Sequence, residues 1–353
     1  MANDNWQMHC PVPLDANADR ITLAHGEGGR LMRRLIEERI LPRIRGSENG
    51  SRPTDDAAVR PRVDGPLAIT TDSFVVSPLF FPGGDIGRLA VFGTVNDLVV
   101  AGAEPLWLTL SLIIEEGLPV AVLDRVLDSV AAAAVEADVE VVTGDTKVVP
   151  RGTADGLFLN TSGIGRVVES ALPGPTALRP GDELIISGPI GRHGIAILAA
   201  RENLGLTPPP KTDCACLRDS VQTLRDAAIR VRAMRDATRG GVTAVLHEWA
   251  AASSLTLTIE ESRIPVTPDV RGASELLGLD PLHIANEGTM LIAVPAGTGD
   301  AAVAALRRCS TSKLAAVVGH VLEQRTAPVT IVRSLGRELP LDEPSGVLLP
   351  RIC

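Results

Sequence analysis

Between Leu172 and Glu183 the chain places Pro173, Gly174, Pro175, Pro180 and Gly181. Proline lacks a backbone donor and glycine loses the most conformational freedom on folding, so no helix or strand runs through such a stretch. The break divides 353 residues into two parts, each long enough to close a core of its own. The expected organisation is a polar arm over 1–20, a first domain over 21–170, a second over 176–325, and a tail over 326–353 that lacks clear periodicity.

Periodicity sets the element types. Apolar Leu31, Met32, Leu35, Ile36 and Ile40 recur at helical spacing after the glycine-rich His25-Gly-Glu-Gly-Gly29. A strand is expected from Leu67 to Thr71, stopping at Asp72, then a helix over 85–101 closed by Gly102, a strand over 106–114 and an Ala-rich helix over 120–137. Strands at 139–143 and 157–167 complete the first part. In the second part we expect strands at 183–187, 255–260, 290–294 and 314–322, and helices at 193–203, 215–234, 241–253 and 299–309. The elements alternate without strict βαβ repeats, so the class is α+β with two domains. Aromatic residues make up 2% of the chain and tyrosine is absent, which leaves Ala, Val, Leu and Ile to build the cores.

Lys and Arg number 34 against 43 Asp and Glu, a net charge of −9 without a long basic tract. Nucleic acid is bound by clustered cations that release counterions, so this balance argues against it as a partner. A nucleotide carried with a metal is another matter, because carboxylates hold the cation. Cys10, Cys214, Cys216, Cys309 and Cys353 form no repeating framework, and the Cys214/Cys216 spacing suits neither a redox motif nor a zinc half-site. They read as free thiols in a reducing compartment. No apolar run approaches ~18 residues and no cleavable leader is recognisable, so the expectation is a soluble cytoplasmic protein without a membrane partner.

Four segments place aspartate where a strand or helix is expected to stop: Thr54-Asp-Asp-Ala-Ala-Val59, Thr70-Thr-Asp72, Val95-Asn-Asp97 and Gly144-Asp-Thr-Lys147. Carboxylates gathered at the rim of a sheet suit Mg²⁺, which prefers oxygen ligands and keeps phosphates in its shell. Each one alone also suits a turn or helix cap. Asp97 interrupts an apolar helix face, where a charge is costly. Lys147 shares a face with Asp145 on an extended segment and is placed to touch a phosphate, or is a plain surface lysine. The glycines before Arg30 suit a phosphate cradle or a simple linker, and match neither the P-loop nor the dinucleotide pattern. Arg235-Asp-Ala-Thr-Arg-Gly-Gly241 reads equally as an anion site or as a turn capped by Asp236 and Thr238. Glu287, in Ala285-Asn-Glu-Gly-Thr289 before an apolar strand, is expected in a partly buried turn where desolvation raises its pKa and makes a usable base. Cys353 closes Pro350-Arg-Ile-Cys353 with nothing after it to restrain its thiol, and reads as a frayed end or as a swinging acceptor.

Taken together these motifs resemble the HypE family of hydrogenase maturation proteins. That family sits in the superfamily of aminoimidazole ribonucleotide synthetase, selenophosphate synthetase and thiamine-monophosphate kinase. The superfamily marks are Asp55-Asp-Ala-Ala-Val59, Thr-Thr-Asp72, Asn-Asp97 and Gly-Asp-Thr146. The marks closer to HypE are the run from Thr70 to Gly84, Gly144-Asp-Thr-Lys-Val-Val149, Asp236-Ala-Thr-Arg-Gly-Gly241, Asn286-Glu-Gly-Thr289 and above all Pro350-Arg-Ile-Cys353. The likeness runs from about His25 to Cys353, nearly the whole chain.

The resemblance implies a two-domain fold like that of aminoimidazole ribonucleotide synthetase, a homodimer formed through the first domain's sheet, and ATP near the subunit interface. It implies that a carbamoyltransferase, HypF, loads a carbamoyl group onto Cys353, that ATP-dependent dehydration yields a thiocyanate, and that cyanide passes to iron on the HypC–HypD scaffold complex. It further implies ATP contacts from Gly28, Gly29, Asp56, Asp72, Asn96, Asp97, Asp145 and Thr146, with Mg²⁺ on Asp56, Asp72, Asp97 and Asp145. Lys147 would steady the transferred group and Glu287 would take the proton. Two positions depart from the family pattern: Arg192 stands where it implies an acidic residue, and Glu27 where it implies a small one. The rival reading is a small-molecule kinase or ATP-dependent synthetase of the same superfamily, which would have no need of Cys353.

Overall fold

A computed structural model describes residues 19–44, 56–168, 172–333 and 335–343. The first helical segment runs as α1 (Arg30–Leu35), a wider turn over Ile36–Ile40, and α2 (Leu41–Ile44). β1 (Leu67–Phe74) leads to a small hairpin, β2 (Phe80–Phe81) with β3 (Gly84–Asp85). Then come α3 (Ile86–Val100), β4 (Ala103–Glu115), α4 (Val120–Ala137), β5 (Glu140–Val149) and β6 (Leu157–Val167). The four long strands form one sheet in the order β1-β6-β4-β5, with β5 parallel to β4 and the other pairs antiparallel.

The second part holds β7 (Glu183–Ile186), α5 (Arg192–Arg201), α6 (Arg218–Asp226), β8 (Ala233–Asp236), α7 (Gly241–Ser253) and β9 (Thr256–Glu260). α8 (Pro268–Leu277), β10 (Met290–Val294), α9 (Gly299–Leu306), β11 (Ala316–Leu322), β12 (Val329–Val332) and β13 (Glu338–Pro340) follow. Its sheet has seven strands in the order β13-β12-β9-β11-β7-β10-β8. The α+β class is as expected.

Several boundaries differ from the expectation, each for a local reason. β1 runs through Asp72 to Phe74 and β5 through Asp145 to Val149, so these aspartates lie inside strands and not at their ends. The helix expected over 215–234 stops at Asp226; Ala228 takes φ 52°, which no helix accommodates, and the chain resumes as β8. α8 was not anticipated. The tail expected from 326 begins later, because β12 and β13 add themselves to the sheet of the second part.

α3 carries apolar residues on every side and is buried except at Arg88 and Asp97. It packs on β1 and β6 on one side and on α4, α6 and β8 on others. Asp85 caps its start by accepting from the backbone N–H groups of Gly87 and Arg88. One hydrophobic cluster runs from the first sheet through α3 into Leu217, Val221, Met290, Ile292 and Val294 of the second part. Leu291 and Ala293, the alternate residues of β10, enter a second cluster with α7 on the other face. The two parts therefore share a core, and α3 lies at its centre.

Among the described residues, helices cover one face of the first sheet and not the other. α3 and α4 pack against the face carrying Leu108, Leu110, Leu112 and Leu159. The other face leaves Ile69 73% exposed, with Leu67 and Ile113 also exposed.

Candidate active site

β1 and α3 bring the first two acidic residues together. Thr70 and Asp72 alternate onto the covered face of the sheet. There Thr70 Oγ1 donates to Asp97 Oδ2 at 2.7 Å, which ties the last turns of α3 to β1. Burial, then the neighbouring Asp97 carboxylate, push Asp72 up to about 6; the Arg239 guanidinium opposes this.

The second part adds two carboxyls to the same neighbourhood. Asp236 ends β8 opposite Met290, is buried, and is pushed up to about 7 by burial and then by Asp97. Glu287 is 4% exposed, and its carboxyl sits against α3, where a Cβ built on Gly93 would lie 4.0 Å from Oε2. Burial raises Glu287 well above the ordinary carboxyl range, followed by Asp236, Asp213, Asp72 and Asp97. The expected buried turn is present and its carboxyl is raised by desolvation. Four acidic groups thus face one another at the junction of the two parts.

Asn96, expected to contact nucleotide, instead spends its side-chain amide on the protein. Its Nδ2 donates to the carbonyls of Ala215 (3.0 Å) and Glu287 (3.4 Å), and its Oδ1 accepts from the Leu217 N–H at 2.8 Å.

The remaining expected residues lie elsewhere. Asp145 and Lys147 share the open face of β5, exposed and paired at 3.3 Å, while Thr146 between them is buried. The turn over Leu23–His25 packs beside β5, and Gly26 lies against Val148, so the glycine-rich run sits near this pair. Gly28 and Gly29 are exposed, with open space around them. The row Asp72–Thr161–Leu110–Gly144 crosses the sheet, so Asp145 projects from the opposite face to Asp72. Three strand spacings also part them, roughly 14 Å. Asp56 is exposed. Of the four carboxylates expected to share Mg²⁺, Asp145 therefore stands apart from Asp72 and Asp97 within one chain. Among the described residues no group of three or more His, Cys, Asp or Glu is set to hold a metal ion. Cys353 lies outside the described residues, as does Asp55.

The two departures are accommodated. Arg192 opens α5 and donates to the Thr212 carbonyl at 3.4 Å. Glu27 is exposed. The second of the paired glycines after Arg239 has a packing reason: a Cβ on Gly241 would lie 2.4 Å from the Leu282 carbonyl. Asp213 and Asp236 escaped the sequence reading. Asp236 falls in a run that suits an anion site or a capped turn equally, and only the pairing of β8 with β10 places it beside Glu287. Cys214, Cys216 and Cys309 are free thiols, as expected. No described helix is long and apolar enough to cross a membrane.

Two α+β parts sharing a buried central helix, with acidic groups converging at their junction, match a known class. Residues 54–167 match the family model of the AIR synthase related protein, N-terminal domain, and residues 179–331 match that of its C-terminal domain. A carbamoyl dehydratase HypE of Rhodobacter capsulatus is 45% identical over 95% of this chain and 98% of its own. A crystal structure of the hydrogenase maturation protein HypE in complex with ATP is 41% identical, covers 94% of this chain and 99% of that one, and superposes with a TM-score of 0.89. A HypE chain solved in a HypE–HypF complex is 43% identical over 79% of this chain and 90% of that one, with a TM-score of 0.75. The chain belongs to the carbamoyl dehydratase HypE family.

Proposed function

We propose that this protein dehydrates a carbamoyl group carried on the sulfur of Cys353 to a thiocyanate, with ATP as the dehydrating agent. The carbamoyl oxygen attacks the γ-phosphate, ADP leaves, and the C–O bond then breaks so that the oxygen departs with phosphate. Both nitrogen protons are lost and the carbon is left as a nitrile on sulfur. An amide oxygen is a poor leaving group, and phosphorylation makes it a good one. The observation that carries the reading is the crowding of Glu287, Asp236, Asp72 and Asp97, which supplies a candidate base beside a pair of carboxylates whose mutual repulsion and burial outweigh the Arg239 guanidinium. The ATP-bound relative and the Pro350-Arg-Ile-Cys353 motif support it.

Asp72 and Asp97 fit Mg²⁺, since two adjacent carboxylates, one of them raised toward neutrality, offer hard oxygen donors for a hard cation. When bound, Mg²⁺ neutralises phosphate charge and offsets the crowding that raises the Glu287 carboxyl. Asp56 and Asp145 are the further ligands in this reading. Lys147 steadies the transferred phosphoryl group, with Gly28, Gly29 and Thr146 beside the phosphates. Glu287 takes the proton from nitrogen.

A homodimer through the open sheet face accounts for the separation of Asp145 from Asp72. With both sets serving one nucleotide, a second copy brings its Asp145 and Lys147 to the site. A HypF carbamoyltransferase loads Cys353, and the HypC–HypD complex receives the cyanide in the cytoplasm. The relative solved with HypF supports the first of these partners.

The test is mass spectrometry of the peptide containing Cys353 after incubation with the carbamoyltransferase and then with Mg-ATP. Loss of one water from the carbamoylated peptide is expected. Cys353→Ala should form no product and bind ATP as the parent does. A peptide that keeps its oxygen at saturating nucleotide rules the dehydration out. A Cys353→Ala variant that still phosphorylates a small molecule would favour the kinase reading.

A further inference from the structure

Glu287 sits in a turn that is held from three directions. Both carboxylate oxygens of Asp213 are used on its backbone: Oδ1 accepts from the Glu287 N–H and Oδ2 from the Gly288 N–H, each at 3.1 Å. The Glu287 carbonyl accepts from the Ala215 N–H at 3.3 Å and from Asn96 Nδ2 on α3 at 3.4 Å. Asn286, with no exposed surface, accepts from the Gly191 N–H at 2.7 Å and donates to the carbonyls of Ala237 and Ile284. A Cβ on Gly288 would lie 1.9 Å from the Asp213 carbonyl, so only glycine lets the two runs of backbone approach this closely.

A buried carboxylate at the rim of an acidic cluster is an expensive way to satisfy two N–H groups. Serine or asparagine can accept from turn N–H groups without adding charge. Asp213 is buried and adds negative potential to Glu287. Its two hydrogen bonds fix the peptide that carries Glu287, and Asn96 fixes the same peptide against α3, the helix that carries Asp97.

We infer that Asp213, with Asn96, is a positioning residue for the reaction: the pair clamps the Glu287–Gly288 peptide to α3, so that the Glu287 carboxyl and the Asp72–Asp97 pair keep one fixed geometry. The inference rests on the dehydration reading above. It assigns Asn96 to the frame of the site and not to the nucleotide. A carboxyl on an unclamped turn would sample positions an ångström or more away, and displacement of that size can cost about 100-fold in rate.

The experiment compares Asp213→Asn and Glu287→Gln in the full chain, carbamoylated on Cys353 by the carbamoyltransferase. Single-turnover dehydration, ATP affinity and hydrogen exchange of the 284–290 peptide are read for each. Asp213→Asn keeps the size of the side chain but presents one acceptor in place of two. The expected result is a rate about 10- to 100-fold lower with the KM for ATP unchanged within about twofold, and faster exchange confined to 284–290. Should Asp213→Asn fold poorly, Asn96→Ser makes the same test from the α3 side. A parental rate for the clamp variants beside an inactive Glu287→Gln overturns the inference and leaves the dehydration reading standing. Parental rates for all, Glu287→Gln included, remove Glu287 from the chemistry and the inference with it. A raised KM for ATP with kcat unchanged returns Asn96 and Asp213 to nucleotide binding and also overturns it.

Discussion

Asp236 shows what a single residue costs and what hides it. It is an acid buried beside other acids, with a pKa moved from 3.8 to about 7. Such a group holds its proton more tightly folded than unfolded, so its stabilising contribution is full below about 3.8 and is lost as pH rises through about 7. Asp236→Asn removes that titration. In protein free of metal and nucleotide, the variant is expected to gain stability over the parent as pH rises from about 4 to about 7, levelling at roughly 4 kcal/mol. Melting temperatures across that range decide it, and equal values at pH 8 would refute the argument. Nothing in Arg235-Asp-Ala-Thr distinguishes this buried acid from a turn cap. Glu287 was legible because glycine and an unbroken apolar strand follow it directly. Asp213 was not, because its partners are two backbone amides more than seventy residues away.

Among elements, the long periodic ones were readable and the short ones were not. α3, α4 and β6 fall where their apolar patterns place them, to within a residue or two. β8 was absorbed into a helix because Ile229, Val231 and Met234 suit either period, and the left-handed turn at Ala228 leaves no mark in the sequence. β12 and β13 were missed because Pro328 and Pro340 flank or end them and each is a few residues long. α3 was read as a helix, but its all-round burial was not, since that depends on a second part folding over it. Leu89 has no exposed surface and belongs to the shared cluster. Leu89→Ala is expected to cost about 2–5 kcal/mol, measured as a lower urea midpoint with an unchanged slope. A loss under about 1 kcal/mol would mean that the helix is less tightly enclosed than its burial implies.

At the scale of the molecule the asymmetry of the first sheet decides what a functional unit must contain. One face is filled by α3 and α4. The other presents Leu67, Ile69 and Ile113 beside Thr71, Ser73 and Ser111, with Asp145 and Lys147 at one margin. A half-open sheet of this kind is ordinary when polar residues cover it, but here apolar side chains are interspersed along β1 and β4. Two such faces packed together would bury Ile69, now 73% exposed, and set each chain's Asp145 and Lys147 at the shared interface. Ile69→Asp places a carboxylate in that packing, at a cost of several kcal/mol for an unpaired buried charge, while leaving each protomer's own core untouched. The expected outcome is a monomer by light scattering with the parental circular dichroism spectrum, together with loss of dehydration although Cys353 and the Asp72–Asp97 pair remain. A variant that stays dimeric would place the interface elsewhere. A monomer with full activity would show instead that one chain reaches its nucleotide around the edge of the sheet, and that Asp145 serves no shared site.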